Sequence, residues 1–97
     1  MRFEWDSKKA SSNERKHGIS FNDAITAFDD PYALIAPDGK HSTESEIREW
    51  LIGEADNGVL VIIFTRRLEG RVYRLISARR ANRKEKALYE EFKRVPV

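Results

Sequence analysis

The 97-residue chain contains no cysteine. No disulfide can staple it, no thiolate can ligate a metal, and no thiol can act as a nucleophile. It has only two histidines, His17 and His41, so a metal site would need carboxylates that no sequence pattern places, and neither an HExxH pair nor a Gly-rich phosphate loop occurs. No apolar run approaches the ~20 residues that span a bilayer. The opening MRFEWDSKK is charged too early to resemble a signal peptide, so the expectation is a cytoplasmic protein with no membrane association. Repeats, low-complexity tracts and heptads are absent too. The remaining catalytic material is arginine, lysine, histidine, tyrosine and carboxylates, with neither metal nor cofactor expected.

Charge is plentiful but unevenly placed. Charged residues make up 35% of the chain and the net charge is only +2. Residues 66–97 nevertheless hold 11 of the 18 Lys and Arg and 4 of the 16 acids, a net of +7, which leaves −5 on residues 1–65. Solubility alone does not require the two signs to separate; a basic third on an acidic body suits a face that meets an anion, nucleic acid or an acidic protein. At this length the chain reads as one domain, residues 1–97, near the lower limit for a single core without staples.

The pattern of elements predicts an α+β fold. RFEW at 2–5 alternates as a short strand, and Asp6 is a suitable N-cap for a helix over 7–17 closed by Gly18. Ser20 caps a second helix, on which Phe21, Ala24, Ile25 and Phe28 form one apolar stripe. DDP at 29–31 ends it, and a loop runs to residue 45 with a short strand expected at YALIA. Strands over 47–54, 59–65 and 71–77, separated by the turn signals DNG and LEG, predict an antiparallel three-stranded meander with VLVIIF at its centre. Asn82 and Glu85 form a capping box for a C-terminal helix with Leu88 and Phe92 on its buried side. The predicted core holds Phe21, Ile25, Phe28, Trp50, Val61, Ile63, Leu75 and Phe92.

The functional candidates cluster where the last strand meets the last helix. Strand alternation places Val72, Arg74, Ile76 and Ala78 on one face and Arg71, Tyr73, Leu75 and Ser77 on the other. Arg74 and Arg48 fall on apolar faces, so each either pairs with a carboxylate or lines a wet groove that takes an anion. Arg79 and Arg80 precede the last helix, whose free amides and positive dipole end favour phosphate. Arg83, Lys84 and Lys86 read as a solvated face. Asn13 and His17 share one side of the first helix with Lys9. His17 is either a C-terminal cap or a proton-transfer group suited to neutral pH. His41, in DGKHSTE, reads as a loop residue, and Ser77 as a partner for neighbouring backbone. These side chains suit RNA, which supplies its own 2′-hydroxyl nucleophile and needs only orientation, cationic stabilisation of the phosphate and a proton for the leaving oxygen.

FEWD at 3–6, Asn13, KHGISF at 16–21, Ala24, FDDP at 28–31, Gly53, ISARRA at 76–81, Glu85 and Tyr89 resemble, in order, the BrnT family of bacterial toxins. The resemblance implies a RelE-like fold and the toxin half of a type II toxin-antitoxin pair. Such a toxin is an endoribonuclease that cuts RNA, inhibits translation and growth, and is neutralised by a BrnA-type antitoxin that alone contacts operator DNA. The family pattern falls on Lys16, His17, Arg48, Arg74, Ser77 and Arg79. The resulting expectation is a catalytic set of His17, Arg74 and Arg79, with Lys16, Arg48, Ser77 and Arg80 binding substrate. Two other readings stay open: a ParE-like poison without chemistry, and a nucleic-acid-binding interaction module.

Overall fold

VLVIIF lies in the middle strand of a five-stranded sheet in the computed structural model, which describes residues 1–94. In chain order the elements are β1 (Arg2–Glu4), α1 (Ser7–His17), α2 (Phe21–Ala24) continuing as a 3₁₀ turn (Ile25–Asp29), β2 (Leu34–Pro37), β3 (Arg48–Ala55), β4 (Gly58–Arg67), β5 (Val72–Arg80) and α3 (Arg83–Arg94). The sheet order is β1-β5-β4-β3-β2. The expected meander is present as β3-β4-β5, extended by two strands: β2 joins antiparallel at one edge and β1 pairs in parallel with β5 at the other. The sheet is therefore mixed.

Local signals set the helix ends. Asp6 accepts the amides of Lys8 and Lys9, Ser20 accepts that of Asp23, and Gly18 closes α1 at φ +72°. That left-handed conformation costs glycine nothing. Asn82 and Glu85 exchange backbone-to-side-chain bonds of 2.8 Å each, the reciprocal capping box predicted for α3.

The sheet buries both faces, unequally. Leu51, Leu60, Ile62, Phe64, Leu75 and Ala78 pack against Ile19, Phe21, Ala24 and Ala27 from α2 and its flanks. Leu60, Ile62 and Phe64 have no exposed surface at all, and each such burial stabilises the fold by about 1.5–3 kcal/mol. The opposite face carries a smaller cluster, Ile52, Val61 and Tyr89 with Trp50 and Ile63 alongside. Ile25 and Phe28 are half-buried against the larger cluster.

Two expectations are overturned. Leu88 and Phe92 are not the buried side of α3, being 40% and 54% exposed. The residue that anchors the helix is Tyr89, whose hydroxyl donates to Asp30. Burial and that bond raise the Tyr89 pKa above its ordinary value, so the ring enters as an apolar body with a tethered tip. The alternation along β5 also fails, because the register shifts between the pairs Ile63↔Ser77 and Phe64↔Leu75. One extra residue on β5 is a bulge, and it puts Leu75 and Ala78, three apart, on the same face.

Gly53 marks where the 3₁₀ turn crosses β3. A Cβ there would sit 3.0 Å from the Ala27 carbonyl oxygen and 3.0 Å from Leu51 Cδ2. Gly53→Ala is expected to cost about 1–3 kcal/mol in urea denaturation, since one of these two contacts is rigid backbone. Stability within error of wild type would show that the crossing is compliant.

Candidate active site

The only buried residue of α1 is Asn13, and half-buried Ala10 is its one apolar side chain against the core, so this helix has little apolar surface with which to adhere to the sheet. A side-chain amide holds it instead. Asn13 Nδ2 donates to the carbonyls of Ala78 at 2.8 Å and Ile19 at 3.1 Å, while Oδ1 accepts the Ala78 amide at 3.1 Å. β1 pairs only with residues 72–74, and the amide takes the place of a neighbouring strand where β5 continues past it. The next turn of α1 therefore carries Lys16 and His17 to the flank of β5 beside Ser77 and the bulge residue Ile76.

There a groove of about 330 Å³ opens, lined by Lys16, His17, His41, Arg48, Ile63, Ile76, Ser77 and Arg79. Every ionisable side chain lining it is basic. Five of the seven residues nominated from sequence meet here: Lys16 and His17 from α1, Arg48 from β3, Ser77 and Arg79 from β5. Register explains the convergence, since Arg48 pairs with Thr65, Trp50 with Ile63, Ile63 with Ser77 and Val61 with Arg79 across β3, β4 and β5. An adjoining cavity runs over Trp50, Ile52, Val61 and Ile63 and shares His41 and Arg79 with the groove.

The two arginines differ in what they leave free. Arg79 is engaged by Glu85 through both terminal nitrogens, at 2.7 and 2.8 Å. Arg48 gives only Nε to Glu46, at 2.8 Å, and its terminal amino groups have no protein partner among the described residues. The fork of Arg48 is thus available to a phosphate without breaking an internal pair.

Arg74 and Arg80 lie elsewhere. Arg74 is opposite Thr65, nearer the start of β5, and pairs with Glu4 of β1 at 2.9 Å, so the carboxylate partner considered for it exists. Arg80 donates to the Asn57 carbonyl at 2.8 Å and ties down the turn between β3 and β4. Neither lines the groove.

Hydrogen bonding from Arg79 holds the Glu85 carboxyl below its ordinary pKa, against the opposing effect of burial. A depressed carboxylate contributes stability above its ordinary pKa and loses it as pH falls through the folded value. Because Arg79 is 40% exposed, solvent screening keeps the pair modest, about 1 kcal/mol. Glu85→Gln should therefore cost about that much at pH 7 and close to nothing once acid has protonated Glu85 in both states. Urea denaturation at the two pH values checks this, and an equal loss at both would contradict it.

A family model described as the ribonuclease toxin BrnT of type II toxin-antitoxin systems matches residues 5–85. The chain belongs to the BrnT family. No curated protein matches it. A type II system pairs such a toxin with a protein antitoxin, so this BrnT chain has a protein partner. Among the described residues, no helix is long and apolar enough to cross a membrane, and no three His, Asp or Glu side chains cluster as a metal site would require. The BrnT match includes α1, the groove strands and Glu85.

Sequence reading did not assign Asp38 and His41 to the site. His41 reaches the groove because its loop folds back on the start of β3, a return held by backbone and Ser42 contacts to Arg48. The spacing of Asp38 and His41, three residues apart, was the one available hint.

Proposed function

We propose that this BrnT chain is an endoribonuclease of the bacterial cytoplasm, one domain over residues 1–97 with a RelE-like arrangement, that cuts RNA through attack of the 2′-hydroxyl. The observation that carries the reading is the groove whose ionisable lining is entirely basic and drawn from three separate elements and a loop. Such a lining attracts a phosphodiester and repels a divalent cation, so cleavage is expected to survive EDTA. In this reading Arg48 and Lys16 hold the scissile phosphate, Ser77 donates to it, and Arg79 adds positive field from the neighbouring strand while Glu85 fixes its position. His17 moves a proton at the end of α1. Arg74 and Arg80 then act on the fold, by joining β1 to β5 and by bracing a turn.

A BrnA-type antitoxin with acidic groups facing residues 71–86 would neutralise the toxin by covering this field. The exposed Leu88 and Phe92, one turn apart on α3, offer it an apolar foothold beside the Arg79–Glu85 pair.

Expression of the chain alone should arrest growth and translation and leave new RNA ends, and co-expression of the antitoxin should relieve both effects. Arrest with intact RNA would overturn the ribonuclease reading in favour of a poison that acts without cutting, as in the ParE-like alternative.

A further inference from the structure

Asp38 and His41 form a unit that neither the family match nor the roles above account for. The Asp38 side chain is 10% exposed, and its carboxylate meets His41 Nδ1 at 2.6 Å. A carboxylate so enclosed is costly unless paired, and no other side chain among the described residues answers it. The loop that holds the pair is fastened to the groove by backbone. The Asp38 amide donates to the Arg48 carbonyl at 2.7 Å, and Ser42 Oγ accepts the Arg48 amide at 2.8 Å while donating to the Asp38 carbonyl at 2.6 Å. The dyad and Arg48 are therefore positioned together.

A carboxylate at Nδ1 selects the tautomer that carries its proton there and leaves Nε2 bare. It also offsets the positive charge that appears on the ring when Nε2 gains a proton, the role of the aspartate in a hydrolase triad. His17 has no carboxylate partner among the described residues and adjoins Lys16 in the groove's lining. The charged and titratable groups around His41 are Asp38 in its own loop, Lys16 and His17 of α1, Arg48 of β3, Arg79 of β5 and, across the adjoining cavity, Glu85 of α3.

We propose that His41, oriented by Asp38, is the general base of the cleavage and His17 the general acid, an assignment that rests on the ribonuclease reading above. As the 2′-oxygen bonds to phosphorus, its proton passes to His41 Nε2. The bond from phosphorus to the 5′-oxygen breaks, and that oxygen takes its proton from His17. The products are a 2′,3′-cyclic phosphate and a 5′-hydroxyl, with His41 protonated and His17 neutral until exchange with water resets them. Asp38 is a positioning residue.

The test uses the purified full-length chain with two RNA oligonucleotides. One is natural, and the other carries sulfur in place of the 5′-oxygen at the cut, a leaving group that needs no proton. His41→Ala should lower cleavage by about 10²–10⁴-fold on both oligonucleotides. His17→Ala should lose a similar factor on the natural one and recover most of it on the sulfur analogue. Asp38→Asn should lower turnover while leaving RNA affinity unchanged. His41→Gln keeps a donor for Asp38 and so controls for loop structure. Wild-type turnover in His41→Gln, or rescue of His41→Ala by sulfur, would overturn the assignment of His41 as base. A wild-type chain that cuts neither oligonucleotide would overturn the ribonuclease reading, and this assignment with it.

Discussion

Replacing Asn13 with alanine is expected to destabilise the chain by about 3–5 kcal/mol, because it strands the buried amide and carbonyl of Ala78 and the carbonyl of Ile19, each costing about 1–3 kcal/mol when unpaired. Native stabilities are about 5–15 kcal/mol, so a large share of the fold's margin depends on one side chain. Asn13→Asp should be worse than its near-identical shape suggests. It keeps an acceptor for the Ala78 amide but turns a carboxylate oxygen toward two carbonyls that had received Nδ2. Activity should fall beyond the loss of folded protein, since α1 delivers Lys16 and His17 and has no other buried side chain. Urea denaturation and cleavage assays on the folded fraction check the two parts. An Asn13→Ala protein as stable as wild type would mean that α1 is held by something other than this amide.

Arg48→Ala should show the converse pattern, with cleavage reduced about 10²–10³-fold and stability little changed. Its carboxylate partner Glu46 is 44% exposed and Arg48 itself 29%, so the pair belongs to the class of surface ion pairs worth about 0–1 kcal/mol. The groove, by contrast, loses the one arginine whose terminal amino groups are uncommitted. Arg48→Lys should recover part of the rate, because it restores a point charge without the planar fork. Arg79→Lys is expected to lose activity as well, together with about 1 kcal/mol from its broken pair with Glu85, whereas Arg74→Lys should cut at nearly the wild-type rate. Single-turnover cleavage alongside thermal denaturation separates these cases. An Arg48→Ala protein with normal turnover would remove the phosphate from this part of the groove.

What could be read in the sequence was what is local. Asp6, Gly18, Ser20 and the Asn82–Glu85 box each act within four residues of a helix end, and each was legible from spacing alone. The central strand was legible because VLVIIF is apolar on both faces. The parallel pairing of β1 with β5 joins residues about 70 apart, and three residues of alternation carry no information about a partner that distant. The bulge on β5 reset the faces of Leu75 to Arg79 without any glycine to announce it. On α3, Leu88 and Phe92 are more apolar than Tyr89, yet the tyrosine is buried because Asp30 waits beneath the helix to receive its hydroxyl. The site was legible in part for the same reason. Residue type nominated the cations, but Glu4 took Arg74 from the neighbouring strand β1, 70 residues away in sequence, and a loop return brought in His41.

The most direct measurement of the central claim uses an RNA whose cut site has been mapped. A single 2′-hydroxyl, on the nucleotide immediately 5′ of the scissile phosphate, is replaced by hydrogen. If the groove works by positioning that hydroxyl against a phosphate held by Arg48 and Lys16, cleavage at that bond disappears in the substituted RNA, while the native RNA yields a fragment ending in a cyclic phosphate. Cleavage of the substituted RNA at the same bond and the same rate would contradict the account, because the nucleophile would then have to come from somewhere other than the substrate.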